Sequence, residues 1–174
     1  QFYDCVIKGK FRIKEIKSTN PIAVGDKVLF KMESDRCDSI GVIIEIEARQ
    51  NYIIRKSVNL SKQIHIIASN IDQVFLIITI KTPQTFPTFI DRFLATAKAY
   101  EIKTILVFNK VDCYNPKELI EMRLMKSVYE QIGYDCHEVV ATDLNTLDQI
   151  KKTMAQKVNM FSGHSGVGKS TLIN

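Results

Sequence analysis

No stretch of this 174-residue chain stays apolar for the roughly 20 residues that a membrane-crossing helix needs. The amino end also lacks the basic, apolar and small-residue succession of a secretory signal, so a soluble cytoplasmic protein without a membrane partner is expected. Cysteine is sparse and dispersed. Cys5, Cys37, Cys113 and Cys136 form no C-x-x-C pair and no Cys/His cluster, which removes zinc and thiol-redox motifs, and the four thiols are expected to stay reduced. His65 and His137 lie in apolar or mixed strand-like stretches and read as structural imidazoles rather than metal ligands. Acidic charge is in short supply too: 19 Asp and Glu face 24 Lys and Arg, leaving +5. Residues 1–70 carry twelve basic and eight acidic side chains, whereas residues 71–174 are nearly balanced. A basic surplus of this kind suits a polyanion such as RNA, through phosphate contacts and counterion release, and equally suits a solubilising surface.

What is present is an ordinary globular composition, 45% hydrophobic and 25% charged, enough for one large core or two small ones. Over residues 1–70 the pattern predicts short strands at Tyr3 to Ile7, Phe11 to Ile16, Lys27 to Met32, Gly41 to Glu47, Tyr52 to Arg55 and Ile64 to Ala68. Phe11, Ile13 and Glu15, like Val42, Ile44 and Ile46, follow period two, and Asn20-Pro21 and Val24-Gly25-Asp26 supply turns. The expectation is an N-terminal OB-like β-barrel, a fold that often binds nucleic acid but fixes no function by itself. Lys8, Lys10, Arg12, Lys14 and Lys17 alternate so that several share one face. An RNA-contacting stripe and a solvated outer face both fit them.

After Asn70 the period changes. Val74 to Ile80 is a continuous apolar run suited to a parallel strand buried on both faces, and Phe89, Ile90, Phe93, Leu94 and Ala97 follow at helical spacing. Thr104 to Phe108 repeats the strand signal. Asn115-Pro116 then offers an N-cap and first-turn proline for a helix toward Ile132, stopped by Gly133. His137 to Val140, Leu147 to Met154 and Val158 to Phe161 read as strand, helix and strand. Residues 71–174 are therefore expected to form a doubly wound parallel α/β sheet with right-handed crossovers and ligand above the strands' carboxyl ends.

Gly163-His164-Ser165-Gly166-Val167-Gly168-Lys169-Ser170 matches G-x-x-x-x-G-K-[ST] at every fixed position, directly after an apolar strand. Its glycines allow close approach, so amides from about Gly166 to Ser170 can point at phosphate oxygens. Lys169 would bridge the β- and γ-phosphates and stabilise transferring charge, Ser170 would ligate Mg²⁺, and Thr171 would approach the α-phosphate. Asn109-Lys110-Val111-Asp112 is a short pattern, given weight by its place at the end of a buried strand. Asp112 can accept both the N1 and exocyclic amino hydrogens of guanine, which adenine does not offer, so GTP and GDP are preferred over ATP. Such a mismatch can discriminate by about four orders of magnitude. Asn109 would support the base and the neighbouring loop, and the Lys110 stem would cover its face. Ala141, within Val140-Ala141-Thr142, fits a backbone contact to the guanine oxygen, whereas Val140 lacks the hydroxyl common there.

The base-reading motif precedes the phosphate loop, the reverse of most GTP-binding domains. After Ser170 there is no D-x-x-G, no switch threonine and no side chain to orient an attacking water, so residues 71–174 are read as an incomplete, circularly permuted P-loop GTPase domain. With Val24 to Val28, Arg55 to Ser57, Ala68 to Asp72 and Asp91 to Leu94, these motifs resemble the circularly permuted bacterial GTPases that act on the small ribosomal subunit, the ribosome biogenesis GTPase A type. The resemblance implies a truncated member with an OB domain and a permuted GTPase domain, and zinc only in a carboxyl-terminal domain outside these residues. It further implies GTP hydrolysis in the whole protein, assistance to late maturation of the small subunit, contact with that subunit and its rRNA, and a monomer. Two other readings stay open: an RNA-binding module with a vestigial nucleotide pocket, and an ATP-dependent P-loop enzyme.

Overall fold

The computed structural model describes residues 2–7, 21–32, 40–56 and 64–174. The strand expected over Phe11 to Ile16 and the basic residues Lys8, Lys10, Arg12, Lys14 and Lys17 lie outside these described residues. The chain divides into two compact units, Gln1–Asn70 and Ile71–Asn174.

In the first unit, β1 (Cys5–Ile7) pairs parallel with β3 (Gly41–Ile46), and β2 (Val28–Met32) pairs antiparallel with β3, its register shifting between Leu29 and Phe30. β4 (Tyr52–Lys56) and β5 (Ile64–Ser69) form a separate antiparallel pair. A buried carboxylate ties the turn before β2 to both sheets' connections. Asp26 accepts from Arg49 Nε and Nη2, each at 2.6 Å, from Ser69 Oγ at 2.6 Å and from the Ala23 amide at 2.8 Å. Burial alone would push its carboxyl up, but these donors more than offset that and hold it below the ordinary value.

In the second unit, β6 (Gln73–Ile78), β7 (Lys103–Asn109), β8 (Asp135–Val139) and β9 (Asn159–Ser162) form one all-parallel sheet in the order β8-β7-β6-β9. The apolar run of β6 and β7 has the burial it requires: Val74 to Ile78 and Ile105 to Phe108 are all 0% exposed. Alternation sends their side chains to opposite faces. Leu76, Ile78, Leu106 and Phe108 pack with Ile90 and Leu94 of α1 (Pro87–Ala99) and Met122 and Tyr129 of α2 (Pro116–Gln131). Phe75, Ile77, Ile105 and Val107 instead meet Leu147 and Ile150 of α3 (Leu144–Met154). Helices thus cover both faces.

The strand expected over Val74 to Ile80 closes two residues early, because Thr79 and Ile80 are diverted to local partners. The Thr79 amide donates to Thr85 Oγ1 at 3.2 Å and the Ile80 amide to Tyr114 Oη at 2.9 Å. α2 begins as anticipated: Asn115 caps the Lys117 and Glu118 amides, and Glu118 returns a bond to the Asn115 amide, a closed capping box. From β6 the chain steps to β7 and β8 on one side, then returns to lay β9 on the far flank of β6. That reversal puts the crevice of the sheet at the carboxyl ends of β6, β7 and β9. Among the described residues no helix is long and apolar enough to cross a membrane.

Candidate functional site

β9 leads directly into the glycine-rich turn, and two glycines fit where a side chain would not. Gly163 has φ +142°, and a Cβ there would lie 2.6 Å from the Ile77 carbonyl oxygen. Gly168 has φ +100°, and a Cβ there would strike the Asn109 side-chain amide. The turn therefore seats against the ends of both β6 and β7. None of the amides from His164 to Gly168 donates a hydrogen bond to a described residue. A run of uncommitted N–H groups ahead of a helix start is an anion-binding arrangement. Lys169 opens α4 (Lys169–Ile173), and its ammonium spans the turn, donating to Gly163 O at 2.9 Å and His164 O at 2.6 Å. Ser165 and Gly166 are exposed at its crest, and Ser170 and Thr171 are exposed on the first turn of α4.

The strand β7 ends in Asn109, which is 1% exposed and donates through Nδ2 to Val167 O at 2.8 Å. Its Oδ1 is buried without a partner, a deficit worth about 1–3 kcal/mol that a donor on a ligand would relieve. Lys110 then adopts left-handed backbone angles, φ 64°, and its ammonium donates to Gly166 O at 2.7 Å and Thr82 O at 2.8 Å. Residues Val111–Cys113 make one 3-10 turn that leaves Asp112 exposed, with the Cys113 thiol 3.6 Å from its Oδ2. Residues 109 and 110 of the base-reading motif are thereby joined to the phosphate loop by two hydrogen bonds across more than fifty residues.

The third element, Val140-Ala141-Thr142, leaves the same edge of the sheet, since Val139 lies in register with Asn109. The Val140 amide donates to Thr146 Oγ1 at 3.1 Å, while the half-buried Ala141 has no hydrogen bond among the described residues. Nor does any hydrogen bond among them link this turn to the phosphate loop.

Three contributors had no local sequence signal. Tyr114 Oη donates to Asn109 O at 2.7 Å while accepting from Ile80, and burial raises its hydroxyl above the ordinary value. Thr82, before the cis-linked Pro83, supplies the second carbonyl for Lys110. Phe89 places its ring 4.0 Å from that of His164. Each depends on a contact between distant segments, which periodicity does not report.

No group of three or more His, Cys, Asp and Glu able to hold a metal occurs among the described residues. Ser170 offers one hydroxyl oxygen, which suits a hard cation that takes its other oxygens from phosphates and water. An open cavity of about 820 Å³ lies elsewhere, lined by Leu94, Lys98, Ile102, Lys103, Tyr134 and Asp135 at the opposite ends of β7 and β8. It contains none of the motif residues.

Comparison with known proteins places the chain in a family. The small ribosomal subunit biogenesis GTPase RsgA of Christiangramia forsetii is 58% identical over 174 residues, covering 100% of this chain and 55% of that protein. Its namesake from Flavobacterium psychrophilum is 58% identical over 173 residues, 99% of this chain and 53% of that protein. The chain therefore spans about half the length of the curated relatives it matches. Among solved structures, YjeQ from Thermotoga maritima superposes with a TM-score of 0.73 at 34% identity, covering 98% of this chain and 55% of that one. YloQ, described as a circularly permuted GTPase, gives 0.68 at 30% identity over 97% of this chain and 53% of that one. The profile of the RsgA GTPase family matches residues 46–174, and the chain belongs to that family.

Proposed function

We propose that this chain is the guanine-nucleotide-binding portion of a cytoplasmic, monomeric GTPase that assists late maturation of the small ribosomal subunit. The observation that carries the reading is the pair of bonds from Asn109 to Val167 and from Lys110 to Gly166, because it makes base reader and phosphate loop one pocket. In that pocket the free amides from His164 to Gly168 receive the phosphates, Lys169 balances the β/γ charge, and Thr171 lies beside the α-phosphate. Asp112 accepts the two guanine donors, Asn109 orients the purine, Lys110 covers it, and the Ala141 amide donates to the guanine oxygen. Ser170 would hold Mg²⁺, which would neutralise phosphate charge during transfer to water. Groups that orient the water are assigned to other parts of the whole protein, as is zinc.

The first unit is proposed to be an OB-like barrel that contacts rRNA, a reading supported by its short antiparallel strands and basic surplus. Relatives named for small-subunit biogenesis support the ribosomal partner.

Nucleotide competition tests the base assignment. Asp112→Asn should weaken GTP about 100-fold, through loss of charge-assisted hydrogen bonds, and should favour a xanthine base, whose C2 carbonyl accepts from an amide. Tighter binding of ATP than GTP, or an unaltered base preference in the variant, contradicts the assignment. GTP turnover of the whole protein should rise when small subunits are added; no rise would leave a binding module.

A further inference from the structure

The motif leaves its second position, His164, unspecified, and the nucleotide chemistry proposed above uses only the backbone of that residue. The side chain is nevertheless engaged. Its imidazole packs on Phe89, with ring centroids 4.0 Å apart and planes tilted by 34°. Phe89 occupies the first turn of α1, its amide bonded to Phe86 O at 2.9 Å, and its own ring lies 6.4 Å from Phe93 and against the α1/α2 side of the core. One end of the stack is therefore anchored in the rigid body of the domain.

The other end governs a carbonyl that matters. Among the described residues Lys169 reaches back to two acceptors, Gly163 O and His164 O, and the shorter bond, 2.6 Å, is to His164. The ring held by Phe89 and the carbonyl that takes the ammonium belong to the same residue, so the stack narrows the positions open to that carbonyl. The crest of the turn is restrained separately: Lys110 holds Gly166 O, and Pro83 flanks Gly166. Thr82 O, the second acceptor of Lys110, comes from the same β6–α1 connection that delivers Phe89. This one connection thus grips the amino half of the phosphate loop through a ring stack and its crest through Lys110.

We infer that Phe89 is a positioning residue for the β- and γ-phosphates, acting through the His164 ring on the peptide that holds Lys169. The inference rests on the nucleotide-binding reading and adds to it a residue from outside both motifs. Its physical content is preorganisation: a stacked His164 spares the loop part of the ordering that binding otherwise requires.

The test compares GMP, GDP and GTP affinities in the full-length protein for the wild type, Phe89→Leu, Phe89→Tyr, His164→Ala and the double variant Phe89→Leu/His164→Ala. Loss of a geometry-dependent aromatic pair should weaken GDP and GTP by about fivefold in Phe89→Leu, with GMP unchanged and with Phe89→Tyr close to wild type. The double variant should lose no more than the greater of the two single losses, since both remove one contact. Equal weakening of all three nucleotides would mark a general loss of packing and overturn the role. So would additive losses, or a Phe89→Leu variant with wild-type affinities. A wild type that bound none of the three would instead remove the nucleotide-binding reading itself, and this inference with it.

Discussion

Replacing Tyr114 with Phe removes one oxygen from the hub that fixes the base-reading loop. The ring, 8% exposed, keeps its packing, but two groups lose their partner: the Asn109 carbonyl at 2.7 Å and the Ile80 amide at 2.9 Å. Both belong to buried residues, 1% and 4% exposed, so water does not readily replace the hydroxyl. At about 1–3 kcal/mol for each buried group left unpaired, the carboxyl-terminal unit should lose about 2–6 kcal/mol, several times the loss expected for a solvated hydroxyl. Denaturant unfolding should show this as a lower midpoint with unchanged slope. The local readout is sharper, because Ile80 N–H exchange should accelerate at least about tenfold even where global stability permits protection. Burial raises the hydroxyl above its ordinary 10.0, so the bridge is fully present below pH 10.0 and is lost as pH rises through the higher folded value. A midpoint within about 0.5 kcal/mol of wild type, together with unchanged Ile80 protection, would refute the bridging role.

In the first unit, Arg49→Met should cost about 3–5 kcal/mol at neutral pH by stranding the buried Asp26 carboxylate. Asp26 is held below 3.8 in the native protein, so its contribution is present above that pH and disappears as pH falls through the lower folded value. Without Arg49, burial dominates and the carboxyl protonates earlier, so thermal melts should show the deficit shrinking on acidification; a constant deficit would contradict the pairing. Gly168→Ala should weaken GTP binding by more than about 100-fold, since left-handed backbone costs about 1–2 kcal/mol and the new Cβ displaces Asn109 from Val167. Calorimetry that returned the wild-type affinity would show that the loop tolerates the shift.

The features legible in the sequence were those whose physics is local. The continuous apolar runs of β6 and β7 announced strands buried on both faces, and Asn115-Pro116 with Glu118 announced the capped start of α2. The phosphate loop and Asn109-Lys110-Val111-Asp112 were equally readable, because close approach and charge demand particular residues at fixed spacing. What escaped were partners set by the crossover. Nothing near Phe89 forecasts an imidazole 75 positions later, and Tyr114 reads as an ordinary residue before a cap until β6 is laid beside β7. The parallel pairing of β1 with β3 was also invisible, because alternation gives faces but not neighbours.

The place of β9 also governs timing. As the polypeptide is made, β6, β7 and β8 emerge in the order in which they pair, but the strand that must sit beside β6 comes last of the four. About fifty residues separate Asp112 from Gly163, so at roughly 5–20 residues per second the end of β7 is complete some 3–10 s before the glycine-rich turn exists. Throughout that interval one flank of β6 stays open and Asn109 and Lys110 lack their partners in the turn, so these bonds can secure the finished sheet but cannot guide its early assembly.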